Sequence, residues 1–223
     1  MERVRDQPQR PERVAAGVTL PTLSTVVLPP YARVLAELAD AEQAEGWLAR
    51  CEESGCYLVL NGAFVEALAG VLRHLGSAPV LELCAGDGSL AAALRGRGIE
   101  VIATDAHPPA AAPAHVERLT AAQALQRYRP RVVLGSFVPV DAGVDRLVLG
   151  SPHVREYLVL NARLGGEFGA GCLWAHPGWS RAPLTEVTSC MVSRHDAWIG
   201  PGMPTSRHGE AWLFSQPPND RGR

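Results

Sequence analysis

Residues 81–94 read LELCAGDGSLAAAL, an apolar run that meets an acid and then turns through two glycines into a helical pattern. Its chemistry is carried by Glu82, by the small residues Cys84, Ala85, Gly86 and Gly88, and by Asp105 in the following run VIATDA (101–106). Glycines let backbone approach a ligand where a β-carbon would collide, and a helix start offers free N–H groups. Such a turn suits a nucleotide-type ligand bound beyond the carboxyl ends of an open α/β sheet. Other reactive side chains follow later apolar runs: Ser136 after RVVLGS, Asn161 at the end of EYLVLN, and Trp174 and His176 in CLWAHPGW (172–179). Aromatic faces attract cations, and a histidine titrates near working pH, so Trp174 suits a cationic ligand and His176 a general base. Each has a plainer alternative: Ser136 and Asn161 as strand-end hydrogen-bonders, Trp174 and Trp179 as loop anchors in the core.

The elements that must hold these residues follow from periodicity. YARVLAELADAEQAEGWLARCEE (31–53) has helical spacing with Gly46 as a break. NGAFVEALAGVLRHLG (61–76) is a helix with Asn61 as N-cap and Gly76 as its terminating glycine. PVLELC (79–84), IEVIAT (99–104), HVERL (115–119), RVVLGS (131–136) and EYLVLN (156–161) read as strands, with SLAAALRGR, AAQALQRY and DAGVDRLVLG as the helices between them. Crossovers of that length join parallel neighbours. SRHDAWIG (193–200) and HGEAWLFSQ (208–216) suggest an antiparallel hairpin around a Gly- and Pro-rich loop. The expectation is an α/β three-layer domain: a mostly parallel sheet with an antiparallel edge strand and a helical N-terminal extension. Along the chain this divides into a flexible arm (1–20), a helical extension or lid (21–76), the ligand-binding domain (77–216) and a disordered tail (217–223).

Composition narrows the function. The chain has 223 residues, 47% of them hydrophobic and 20% charged, with a net charge of −2, enough for one sizeable core. Nothing supplies the basic excess of a nucleic-acid binder. No leader-like apolar core opens MERVRDQPQRPERV, and no apolar run approaches the ~20 residues of a membrane span. Five cysteines (Cys51, Cys56, Cys84, Cys172 and Cys190), odd in number and without a CxxC pair, read as free thiols in a reducing cytoplasm rather than a disulfide framework or zinc knuckle. The sequence contains no lysine, which removes pyridoxal-phosphate chemistry, Schiff-base aldolases and lysine-dependent phosphate loops. His195, His208, Asp196 and Glu210 gather four metal-type ligands, but at no recognised spacing, so no metal is expected.

Two ligands fit the turn. GDGSLA matches the G-x-G-x-x-A of dinucleotide sites, with Asp105 where a ribose-binding acid belongs. Against this, Glu82 ends the strand, and a carboxylate there repels a pyrophosphate while attracting a cationic amino group. VLELCAGDGSL followed by VIATDA resembles the cofactor signature of the class I S-adenosylmethionine-dependent methyltransferases. That resemblance implies a Rossmann-like methyltransferase fold and S-adenosylmethionine as cofactor. Glu82 would face the methionine end, and Cys84, Ala85, Gly86 and Gly88 would line the turn. Asp105 would hold the ribose hydroxyls, and Ala106 would lie by the adenine. Cys84 stands where the family often has glycine.

The chain departs from the family after the third strand, where RLTAAQAL lacks an acid, leaving adenine to backbone or Gln123. After the fourth strand GSFVPVD is not the N-P-P-Y of amine- and amide-methylating members. The expected activity is methyl transfer to a small molecule, in a biosynthetic setting, with Ser136, Asn161, Trp174 and His176 as catalytic candidates and Tyr31 and Tyr57 as candidates for a lid. Two alternatives remain open: attack at another sulfonium carbon, such as cyclisation with release of methylthioadenosine, and a non-catalytic S-adenosylmethionine-binding module. No nucleic-acid or membrane partner is expected; the oligomeric state is open, a homodimer being one alternative.

Overall fold

The computed structural model describes residues 27–40, 46–76, 79–110, 115–139, 143–162, 171–196 and 208–217. The arm over 1–20 and most of the tail over 217–223 lie outside them. Seven strands form one sheet: β1 (Val80–Leu83), β2 (Val101–Asp105), β3 (Val116–Arg118), β4 (Val132–Ser136), β5 (Glu156–Ala162), β6 (Ser180–Pro183) and β7 (Gly209–Ser215). Their order is β3-β2-β1-β4-β5-β7-β6. β1 to β5 pair in parallel, and β7 runs antiparallel to both β5 and β6. The reversal of strand order between β1 and β4 is the switch point at which open α/β sheets bind ligands.

The parallel strands are near-continuous apolar runs because helices cover both faces. On one face Val80, Val132, Leu134, Leu158 and Leu160 pack with helices α3 (Gly62–Leu75), α4 (Ser89–Arg95) and α8 (Thr185–Cys190). On the other, Leu81, Leu83, Val133, Tyr157 and Val159 pack with α5 (Ala121–Tyr128), α6 (Val144–Leu149) and α7 (Gly171–Ala175). Glu82 shares the first face with Val80, by the alternation of strand side chains.

The first two helices, α1 (Tyr31–Ala39) and α2 (Trp47–Glu53), flank Gly46 as expected and bury Val34, Leu38, Trp47 and Cys51 against Val192. Asn61 pins this extension to the sheet domain. Fully buried, it accepts the Phe64 N–H at the start of α3 and donates through Nδ2 to the Cys190 carbonyl. Residues 57–59 run beside 192–194: Val59 N–H donates to Val192 O, and Arg194 N–H to Tyr57 O.

The expected hairpin of 193–200 with 208–216 is not the one formed. β7 pairs instead with β6, whose SRAP has no strand signature; a proline and four exposed residues are tolerated because β6 is an edge. Ser193 makes only a single bridge, to Leu58. The Asp196 carboxylate explains why: it accepts from the Ser193 N–H and hydroxyl and from the His208 N–H, curling 193–196 into a turn. Residues 197–200 lie outside the described residues.

Candidate functional site

The turn after β1 is built from unusual backbone. Cys84, Gly86 and Gly88 all have positive φ, of 56°, 56° and 76°. Cys84 therefore adopts a conformation that the resemblance associates with glycine, and a non-glycine residue holds it only when its surroundings enforce it. Phe137, directly after β4, is a second such residue at φ 50°. These two strained residues border the same space.

Gly88 is required by packing as well as by φ. A β-carbon there would stand 2.5 Å from Val116 Cγ2 and 2.8 Å from His115 Nε2. Gly88→Ala is expected to destabilise the fold by about 2–4 kcal/mol, the sum of a left-handed penalty and overpacking. Urea unfolding measures it; a loss below about 1 kcal/mol would mean that β3 yields freely.

Two adjoining cavities, of about 310 and 700 Å³, open beyond the carboxyl ends of β1, β2 and β4. Ser54, Gly55, Tyr57, Cys84, Gly86, Asp87, Ser89 and Ser136 border both. Glu82, Ala85 and Cys56 reach only the smaller one; Asp105, His107, Phe137 and Pro139 reach only the larger. The structure thus brings together Glu82, Cys84, Ala85, Gly86, Asp105 and Ser136. Gly88 supports the turn from behind, and Ala106 follows Asp105 without bordering either cavity.

Asp105 ties the turn to β2. Its Oδ2 accepts the Gly86 N–H at 2.9 Å and its Oδ1 the His107 N–H at 2.7 Å. Each carboxylate oxygen has a further acceptor site, so both remain able to receive a hydroxyl. Glu82 is almost wholly buried, and its Oε2 finds no hydrogen-bond partner among the described residues. Burial pushes its carboxyl up to about 8, against the opposing pull of Arg95 and the Ala91 N–H. Burial and the anions of Asp105, Asp145 and Glu82 push the Cys84 thiol up to about 11, so it stays protonated and is no nucleophile at neutral pH. Asp87 takes the Ser89 N–H and hydroxyl on its two oxygens, at 2.9 and 2.7 Å. That places a carboxylate where a dinucleotide's pyrophosphate would need free N–H groups.

Other sequence candidates lie elsewhere. Residues 172–179 comprise the end of α7 and the turn into β6, at the amino-terminal edge of the sheet and opposite the cavities. Trp174 packs edge-on against Trp212 and Phe214, at 5.1 and 5.7 Å between ring centroids, under the Arg181 guanidinium. His176 Nδ1 accepts the Gly178 N–H. Asn161 accepts the Ala162 N–H on its own side chain, in register with Glu210 of β7. None of the three borders either of these two cavities. Gln123 is occupied too: with Thr120 it forms a capping box at the start of α5, legible in the T-x-x-Q spacing. Tyr31 donates to the Ser189 carbonyl, away from the site.

Sequence reasoning missed the segment 54–56 and His107. Tyr57, a candidate for the lid, follows α2 in irregular backbone, borders both cavities and stays 46% exposed. It stands 5.8 Å from Phe137 between ring centroids, and the Arg194 guanidinium covers its ring at 3.8 Å. The signal was Gly55 beyond a helix end, which marks a turn but not where the turn leads. Among the described residues no group of three or more His, Cys, Asp or Glu side chains is placed to hold a metal ion, and no helix is long and apolar enough to cross a membrane.

No family model and no curated protein matches the chain. Solved structures of similar shape include the methyltransferase domain of bacterial CtHen1, with 11% identity over 70% of this chain and 98% of that one, at a TM-score of 0.45. A Burkholderia thailandensis 1,6-didemethyltoxoflavin-N1-methyltransferase, with bound 1,6-didemethyltoxoflavin and S-adenosylhomocysteine, shows 12% identity over 94% of this chain and 100% of that one, at 0.44. The glycopeptide N-methyltransferase MtfA complexed with sinefungin shows 17% identity over 70% and 87%, at 0.38. The sheet order stands apart from these likenesses: with β7 inserted antiparallel between β5 and β6, the chain has the three-layer Rossmann-like fold of the class I methyltransferases.

Proposed function

We propose that the chain binds S-adenosylmethionine along the turn after β1 and directs its methyl group to a small-molecule acceptor. The observation that carries this reading is Glu82: a buried carboxyl on the cavity wall with one oxygen lacking a protein partner. A buried polar atom of that kind costs free energy unless a ligand completes it, and a carboxyl favours a cationic one. The α-amino group of S-adenosylmethionine meets that need, and Asp105 in the adjoining cavity offers two carboxylate oxygens to a ribose. Asp87 at the start of α4 opposes the dinucleotide alternative.

A bound sulfonium supplies an activated methyl group, so the protein has no leaving group to create. What the chain must do is hold an acceptor atom about 3–3.5 Å from that carbon, in line with sulfur, and keep water away. Ser136 and Tyr57 stand at the meeting of the two cavities, where an acceptor would lie, with Phe137 beside them in the larger one. Ser136 can orient a polar acceptor, while the two rings shed water from the space above it. A volume of this order fits a metabolite, and the net charge of −2 favours no polyanion.

A thermal-shift comparison tests the cofactor. S-adenosylhomocysteine at 100 times its Kd should stabilise the protein by about 2.7 kcal/mol, and NAD should leave it unmoved. Stabilisation by NAD alone would overturn the reading. Incubation with S-adenosylmethionine alone then separates methyl transfer, which needs an acceptor, from the intramolecular alternative, which releases methylthioadenosine without one.

A further inference from the structure

The stretch CEESGC (51–56) ends α2 in a complete Schellman motif. Cys56 N–H donates to the Cys51 carbonyl at 2.7 Å, Gly55 N–H to the Glu52 carbonyl at 3.1 Å, and Gly55 sits at φ 65°. That motif brings the side chain three places inside the helix end against the one two places beyond it. Here both positions are cysteine. Cys51 is buried in the cluster of Val34, Leu38, Trp47 and Val192, and Cys56 packs against the same cluster from outside. Cys56 also borders the smaller cavity, between Gly55 and Tyr57. A thiol pair held in contact by backbone geometry, with one member open to a ligand space, differs from two cysteines that merely share a core.

We propose that Cys51 and Cys56 are a reversible disulfide-forming pair, and that closing the bond reshapes the cavity wall formed by residues 54–57. The Schellman turn sets the two thiols side by side, with Cys56 Sγ now donating to the Leu58 carbonyl at 3.4 Å; the interaction between them holds Cys56 below the usual thiol range and pushes Cys51 above it. Cys56 is thus the nucleophile and Cys51 the resolving thiol. With hydrogen peroxide as oxidant, the Cys56 thiolate attacks one peroxide oxygen. The O–O bond breaks, Cys56 becomes a sulfenic acid, and the departing hydroxide takes up a proton as water. Cys51 sulfur, giving up its proton, then attacks Cys56 sulfur; the S–S bond forms, the S–O bond breaks, and a second water leaves. Two electrons from the thiol pair reduce one peroxide. Because Cys56 must turn toward Cys51, Gly55 and Tyr57 move with it.

The test needs no cofactor, so its outcome is independent of the proposed activity. After mild hydrogen peroxide treatment, remaining thiols are alkylated and the protein is cut after arginine. Both cysteines fall in the single peptide 51–73. The expected product is that peptide lighter by two hydrogen atoms, unalkylated, and restored by a dithiol reductant. Cys51→Ser should instead accumulate a Cys56 sulfenic acid that a dimedone probe traps. Hydrogen exchange over 54–60 should differ between the cross-linked and reduced full-length protein. Both thiols alkylated after oxidation, or a sulfinic acid at Cys56 of the unsubstituted protein without the cross-link, would overturn the pair. Equal exchange over 54–60 in the two forms would overturn its coupling to the cavity.

Discussion

Asp105→Ala should weaken S-adenosylmethionine binding by about 100-fold. A ribose held by two charge-assisted hydrogen bonds loses about 3 kcal/mol when both acceptors vanish, which at 1.4 kcal/mol per decade gives that factor. The substitution acts a second way, because the same carboxylate receives the Gly86 and His107 N–H groups. Without it the turn after β1 loses its tie to the end of β2, and the two halves of the ribose platform move independently. Asp105→Asn keeps a single acceptor oxygen and should lose only about 10-fold. Titration calorimetry reads both. Unchanged affinity in the alanine variant would remove Asp105 from the site, whereas equal losses in both variants would assign the effect to the tie rather than to the ribose.

Glu82→Met should do the opposite to stability and to binding. The ordinary value for this carboxyl is 4.5, and burial in the fold raises it to about 8. Between those limits the folded protein keeps a proton that the unfolded chain has released. Stability therefore falls as pH rises across that window; the contribution is complete below 4.5 and gone above about 8. A methionine has no such slope. Relative to the unsubstituted protein, Glu82→Met should gain about 2 kcal/mol between pH 6 and pH 8, at up to 1.36 kcal/mol per pH unit. It should also lose at least about 10-fold in affinity for S-adenosylmethionine, since an amino group then meets an apolar wall. Urea titrations at the two pH values decide it: parallel stability curves would show that Glu82 is ionised in the fold already.

Much of the fold was legible because most of the parallel strands are short runs dominated by apolar residues, and because Asn61 and Gly76 mark the ends of their helix by type. The turn after β1 was legible for a similar reason: its glycines and acids are constrained by backbone conformation, which leaves a trace in residue type. What escaped notice carries no such trace. β6 is an exposed edge strand ending in proline, so neither alternation nor apolarity reveals it. Without it the sequence gives no place in the sheet to Trp174 and His176, which precede it. Conversely, 193–196 has the look of a strand start, but Asp196 offers its backbone better partners than a ladder would. The wall at 54–57 depends on contacts with 192–194, and no local pattern encodes a contact of that span.

The pin at Asn61 has a consequence in time. Its partner carbonyl at Cys190 lies 129 residues later in the chain. A ribosome adding roughly 5–20 residues per second delivers that carbonyl on the order of 10 s after Asn61 itself. Throughout that interval the helix bearing Phe64, Val65 and Leu68 lacks the part of its cover that Val187 and Met191 provide. The nascent chain therefore passes through a stage with strands β1 to β5 made and part of one apolar face still uncovered, the stage at which a holdase would engage it. The cavity wall, resting on the same late contacts, is among the last parts of the molecule to be finished.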